Sequence, residues 1–276
     1  MNFFYILSYF LIYSFMGWVL EVAYHVVSVG KFINRGFLNG PLCPIYGAGM
    51  VSVILLLSPF ADNLLVLYIA GLLFATFIEL VGGFILYKLF NMRWWDYSRE
   101  PFNLGGFICL KFSLAWGVCI VFAMKIIHPL IEAYVGFMDV LIGHVIVYAL
   151  FAVLVADFAV TVLTVMKLNK DIKYINTVAE EIRKVSDGLT DKIGNTTVKA
   201  TAKVQEGQVQ AALAKAEVKD EIDEIIKRSR GMFGYNRLIK AFPEMKSSLY
   251  NIDIKASFEN LKKYAIKRVE GVLKED

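Results

Sequence analysis

Apolar stretches close to bilayer length, parted by short polar turns, fill residues 1–166, and a charged tail with a heptad pattern follows. A bilayer core needs about 20 mostly apolar residues per helix. Five stretches meet or approach that length: 3–27, 45–57, 64–89, 107–127 and 140–166. The second is short, with Gly47, Gly49 and Pro59 near its ends, so it is expected to lie tilted or to be partly re-entrant. The pattern therefore predicts an all-α, polytopic helical membrane protein with about five transmembrane helices. Its domains are expected to be a transmembrane domain, 1–166, and a cytoplasmic helical or coiled-coil tail, 167–276.

Composition agrees with that division. Of the 276 residues, 57% are hydrophobic and only 20% charged, with mean hydropathy +0.56, too apolar for an ordinary soluble domain. Residues 1–166 carry seven Lys/Arg and eight Asp/Glu, whereas the tail carries twenty-two Lys/Arg and seventeen Asp/Glu. The N-terminal MNFFYILSYF lacks the basic region and cleavage site of a secretory signal and is expected to stay as the first span. Short loops rich in Lys and Arg remain cytoplasmic. Lys31 and Arg35 mark the first loop as inside, Lys88, Arg93, Arg99 and Lys111 the third, and Lys167, Lys170 and Lys173 the segment after the last span. The expected topology for the cell membrane thus puts the N-terminus outside and the tail in the cytoplasm.

Two polar segments interrupt the apolar chain: NRGFLNGPLCPIYG at 34–47 and WWDYSREPFNLGG at 94–106. Each follows a span holding one glutamate, with an arginine fourteen positions later, Glu21 with Arg35 and Glu79 with Arg93. Each also leads into a Gly-x-x-Cys at the next span, Gly40 with Cys43 and Gly106 with Cys109. These matches suggest a duplicated hairpin of parallel topology, which would bring corresponding loops together around an axis along the membrane normal; coincidence is the competing explanation.

Glu21, Glu79 and Asp157 lie within apolar spans, where a charge costs about 2.5–3.5 kcal/mol on insertion scales. Each either lines a polar site open to the cytoplasm, or pairs with an arginine or caps a loop amide and holds the bundle together. His25, one turn beyond Glu21, and Arg35 and Arg93 at the surface are the nearby partners. In the first loop Asn34, Cys43 and Tyr46 stand among glycines and prolines that preclude a regular helix, leaving either a structural turn or backbone contacts to a substrate. In the second, Trp95 and Tyr97 suit the interfacial aromatic belt, while Asp96, Ser98 and Asn103 are polar candidates; Trp116 completes the set.

Three dispersed cysteines and three dispersed histidines fit neither a disulfide framework nor a metal spacing. There is no Walker A loop, no G-x-S-x-G and no H-E-x-x-H. No catalytic motif is present, which leaves any catalytic residue unassigned; no cofactor, metal or nucleic-acid partner is expected, and any ATP hydrolysis belongs to another chain. Across residues 168–193, Leu168, Ile172, Ile175, Ala179, Ile182, Ser186, Leu189 and Ile193 form an a/d seam, suited to a homo-oligomer or to an internal neighbour. Residues 195–230 are expected to form a solvated helix. The basic, aromatic NRLIKAFPEMKS at 236–247 suits either anionic lipid or partner contact, or a helix-ending turn.

GWVLE at 17–21, the two loop motifs, and Trp116 with His128-Pro129 resemble the bacterial ABC-transporter permeases of the CmpB type over roughly residues 1–160. The resemblance implies an integral membrane transport subunit paired with a separate ATPase. Two readings compete: a membrane enzyme acting on a lipid-linked substrate at the cytoplasmic leaflet, and a membrane scaffold that recruits partners through its tail.

Overall fold

The computed structural model describes residues 2–194, 235–242, 246–247 and 252–253, with only the backbone path for 171–194. Two compact units divide the chain: Met1–Leu163 with Arg237–Asp253, and Thr164–Asn236 with Ile254–Asp276. The expected helix at 195–230 lies outside the described residues.

The first unit opens with α1, Phe3–Val29. Asn2 caps it by accepting a hydrogen bond from the Tyr5 amide, and Gly30, in the left-handed conformation at φ 72°, ends it. Helix α2, Pro44–Leu57, starts on a proline at N1, where the missing N–H costs nothing. A 3-10 turn at Ser58–Phe60 extends it. Asn63 then caps α3, Leu64–Phe90, by accepting from the amides of Leu65 and Val66. Strands β1 (Met92–Arg93), β2 (Asn103–Leu104) and β3 (Ile108–Cys109) follow, the last two forming a small antiparallel hairpin.

Helix α4, Leu110–Phe122, runs through a π-helical turn at Ala123–Ile127 into α5, His128–Phe137. Pro129 accounts for that turn: it has no N–H to give and its ring crowds the preceding carbonyls, so the ladder widens. Helix α6 spans Leu141–Gly194. Beyond it lie α7 (Tyr235–Ala241), β4 (Lys246–Ser247) and β5 (Ile252–Asp253), with β4 pairing antiparallel to both β1 and β5.

Four helical stretches among the described residues have the length and apolarity to cross a membrane: Phe3–Val29, Leu64–Phe90, Leu110–Phe137 and Leu141–Lys170. The second expected span is the shorter apolar helix Pro44–Phe60. Only 11% of the most apolar window of α3 is buried, as is true of the α6 window, so both turn leucine, valine and phenylalanine outward. In water such a surface would be untenable; in lipid it is the expected exterior of a multi-pass membrane protein.

The core joins α1 through α5. Phe4, Tyr9 and Tyr13 from α1 meet Val51, Ile54 and Leu57 from α2, Leu67 from α3, Ile120 from α4 and Ile131 and Val135 from α5. Glycine sets how closely α1 and α2 approach. A Cβ at Gly17 would overlap the Tyr46 ring, and one at Gly47 would overlap Ser14 and the Phe10 carbonyl. Small residues at crossings are the membrane's usual means of close packing.

Gly47→Leu is expected to separate α1 from α2 and abolish a cooperative melt in detergent. Gly30→Asn, with nothing within 4 Å of its added Cβ and a side chain that tolerates the left-handed region, is expected to leave the midpoint nearly unchanged. Equal effects of the two in circular dichroism melts would contradict this packing account.

Candidate functional site

Glu21 lies in the last third of α1, where Tyr46, near the start of α2, reaches it because Gly17 leaves room for the ring. The Tyr46 hydroxyl donates to Glu21 Oε1 at 2.7 Å. Arg35 supplies the counter-charge, its Nε 3.6 Å from Glu21 Oε2, and its Nη1 lies 3.5 Å from His25 Nδ1. The expected grouping of Glu21, His25 and Arg35 is thus realised in one cluster. Cys43 sits at the N-cap of α2, its amide bonded to the Ser14 carbonyl, with its side chain buried. Burial, reinforced by the Glu21 charge, pushes the Cys43 thiol up to about 12.

The second acid has a different environment. Tyr97 donates its hydroxyl to Glu79 Oε1 at 2.9 Å, and the Trp116 indole interacts with the same carboxylate. The other oxygen, Oε2, is buried without a hydrogen-bond partner among the described residues. Arg93, the sequence counterpart of Arg35, does not reach Glu79. It donates to the Gly105 carbonyl at 2.9 Å, stands 3.9 Å from Asp96 Oδ1 and lies over the Phe107 ring. Tyr97 stacks on Phe112 with ring centres 4.9 Å apart, and burial followed by the Glu79 charge pushes its hydroxyl far above the ordinary tyrosine range.

The two clusters adjoin, for the Tyr46 ring packs edge-on against Trp116 at 5.8 Å. A continuous line of polar and aromatic groups therefore runs Arg35, Glu21, Tyr46, Trp116, Glu79, Tyr97. It contains two carboxylates and one guanidinium. Among the described residues Glu21 has Arg35 within ion-pair distance and Glu79 has no such cation, its donors being Tyr97 and Trp116.

Asp157, the third intramembrane acid, has a separate task. On α6, its Oδ2 accepts from the Gly40 amide at 2.7 Å, and its Oδ1 accepts from the Asn39 amide at 3.2 Å, Asn39 Nδ2 at 2.9 Å and Thr161 Oγ1 at 3.3 Å. Asn34 organises the same loop from inside: its Oδ1 accepts from the Trp18 indole and the Gly36 amide, and its Nδ2 donates to the Asn39 carbonyl. Irregular backbone near a bilayer must be satisfied by protein in this way.

The remaining sequence candidates order the second loop. Asp96 Oδ1 accepts from both the Ser98 amide and the Ser98 hydroxyl. Asn103 donates to the Glu100 carbonyl and accepts from the Gly106 amide, and the Trp95 indole donates to the Phe107 carbonyl. Gly106, at φ 75°, fits where a Cβ would lie 2.8 Å from both Arg93 Nη1 and Asp96 Oδ1. These side chains hold the turn that delivers Tyr97 to Glu79.

Two participants escaped the sequence reading. Asn39 carried no signal beyond its loop position, and Arg237 lies 200 positions from Phe37, whose carbonyl it binds. Among the described residues no group of three or more His, Cys, Asp or Glu could hold a metal ion.

The family described as "Putative ABC-transporter type IV" matches residues 8–162, and the chain belongs to it. No curated protein and no solved structure matches the chain.

Tyr97→Phe removes the donor to Glu79 and is expected to cost about 1–3 kcal/mol of stability, the penalty for stranding a buried acceptor. Asp157→Ala, which strands the amides of Asn39 and Gly40 together, is expected to cost more; thermal melts and exchange protection of those amides check both. In a Cys109→Ala, Cys119→Ala background, alkylation of Cys43 in the folded chain is expected to climb with pH past 10. A plateau at the ordinary thiol value, about 9, would refute its buried, proton-holding state. Because its folded value is raised, the stability Cys43 contributes is full below pH 9 and declines as pH rises toward about 12.

Proposed function

We propose that this member of the family is a membrane-embedded transport subunit whose cargo path follows the line Arg35, Glu21, Tyr46, Trp116, Glu79, Tyr97, with ATP hydrolysis supplied by a separate chain. The observation that carries this reading is the unequal charging of the two acids. Glu21 has Arg35 at 3.6 Å, while Glu79 has a tyrosine donor and a buried oxygen with no partner among the described residues. A fixed structural acid would be better served by a cation on both oxygens. An acid that exchanges partners needs one face free.

Electrostatics favour a cargo bearing a positive group, met first by Glu79 and steered by the aromatic rings of Trp116, Tyr97 and Tyr46. Arg35, 3.6 Å from Glu21, offsets the charge of that second carboxylate, so it attracts a cation from the far side of Tyr46 without trapping it. Family membership supports the transport class, and the missing Walker A loop fits an energy source carried by a partner. The arginine- and lysine-bearing loops at 31–43 and 88–111 supply the cytoplasmic docking face, with the N-terminus outside and the tail inside the cell. The 168–193 seam joins two copies, which enlarges a bundle that is small for a permease.

Gentle purification of the native complex is expected to recover an ATP-binding subunit in fixed proportion. Glu79→Gln is expected to lower ATP-driven uptake at least about tenfold, the loss of one charge-assisted contact, while assembly and melting midpoint hold. Intact complexes that repeatedly lack any ATPase would overturn the reading.

A further inference from the structure

We propose that Arg237–Phe242 together with the strand Lys246–Ser247 form a releasable clasp over the loop face, whose opening uncovers Cys43 and the Glu21–Tyr46 end of the polar line. The inference builds on the assignment of that line as the transport path and concerns its regulation. Three donors of a single side chain carry most of the hold. Arg237 Nη1 donates to the Gly36 carbonyl at 2.6 Å, Nη2 to the Phe37 carbonyl at 2.8 Å and Nε to Asn39 Oδ1 at 3.3 Å. Asn39 in turn donates to Asp157, so the guanidinium is linked through one amide side chain to an acid of α6.

Apolar contacts finish the closure. Leu238 and Ala241 are buried, and the Phe242 ring meets Trp94 edge-on at 4.8 Å. Trp94 belongs to an aromatic cluster with Phe37 and Phe90. Strand β4 pairs with β1, Met92 opposite Ser247 and Arg93 opposite Lys246. One short segment therefore fastens the loop of the α1/α2 hairpin to the loop of the α3/α4 hairpin. The carbonyls that Arg237 holds, Gly36 and Phe37, belong to the loop that ends at Cys43, the N-cap of α2.

The clasp is ordered by docking alone. Helix α7 has seven residues and each strand two, too few to persist without a partner surface. A segment held by one arginine, two buried apolar side chains, one aromatic edge and a two-residue ladder opens as a local unit at lower cost than the bundle beneath it. Closed, it satisfies the carbonyls of Gly36 and Phe37 and shields the aromatic cluster; open, it leaves a polar entrance beside Cys43.

The test labels Cys43 with a water-soluble maleimide in the full-length, detergent-solubilised chain carrying Cys109→Ala and Cys119→Ala, read by mass spectrometry of the Cys43 peptide. Arg237→Ala is expected to raise the rate about tenfold or more, and Phe242→Ala to raise it less, as graded local opening requires. Lys240→Ala, at an exposed position, should match the parent. A Met92→Cys, Ser247→Cys pair lies across the β1–β4 ladder at a spacing a disulfide can bridge. Oxidising it is expected to slow Cys43 labelling in the presence of Arg237, and reducing it to restore the rate. Equal rates in the oxidised and reduced forms would overturn the clasp, as would an Arg237→Ala protein of unchanged melting midpoint that labels like the parent. Labelling needs no ATPase, so a failed pull-down of that partner leaves this result untouched.

Discussion

A carboxylate placed in a hydrocarbon span must find its donors within the protein, because the bilayer core offers no water to replace them. The described structure is arranged around three such obligations. Asp157 meets its own by drawing the amides of Asn39 and Gly40 onto α6, which fixes the course of the first loop. That course puts Cys43 at the start of α2 and Tyr46 one turn later, within reach of Glu21. Glu79 draws Tyr97 down from the second loop, which requires the tight turn that Asp96, Ser98, Asn103 and Gly106 maintain. Loop order and acid placement are thus one constraint seen from two sides.

The two hairpins meet the same obligation differently. Both place a buried cysteine at the N-cap of their second helix, Cys43 before α2 and Cys109 before α4. Both set a tyrosine hydroxyl on the glutamate of their first helix. Where Glu21 receives Tyr46 from within α2, the position matching Tyr46 at the same spacing from the cysteine is Phe112, which stacks beneath Tyr97 instead. The hydroxyl comes from the loop and the ring from the helix. That exchange accompanies the diversion of Arg93 to the Gly105 carbonyl, so Glu21 keeps an ion pair while Glu79 has no cation beside it among the described residues.

Much of this was legible in order along the chain and little of it across the chain. Apolar run lengths located α1, α3, α4 and the membrane part of α6, and the glycines and proline around 45–59 marked the short second helix, because burial of backbone in lipid leaves helix as the available local solution. The Glu21–Arg35 pair followed from spacing, since a short loop has few ways to return an arginine to the helix it left. The same spacing misled for Arg93: the second loop is longer, turns back through β2 and β3, and offers a carbonyl and an aromatic face nearer than Glu79. Asp96, Ser98 and Asn103 were visible as polar loop residues, yet polarity alone does not separate a side chain that serves a ligand from one that serves its own turn. Arg237 stood out only as part of the basic, aromatic segment 236–247, with nothing to point to the groups it binds. Its partners are backbone carbonyls of Gly36 and Phe37, and a carbonyl has no residue type by which a sequence could announce it.

That distinction bears on how a small bundle could move. Contacts within the apolar core, the cluster that includes Tyr9, Leu67 and Ile120, rest on shape and resist displacement as a unit. The loop face is joined by point contacts of high directionality: a carboxylate on two amides, a guanidinium on two carbonyls, a tyrosine on an acid. Directional contacts are lost almost wholly over a small displacement, whereas packing contacts fade gradually. A structure assembled from a packed end and a hydrogen-bonded end therefore has its compliance built into the latter. The two acids stand on that compliant side, each holding a tyrosine hydroxyl by one directional contact.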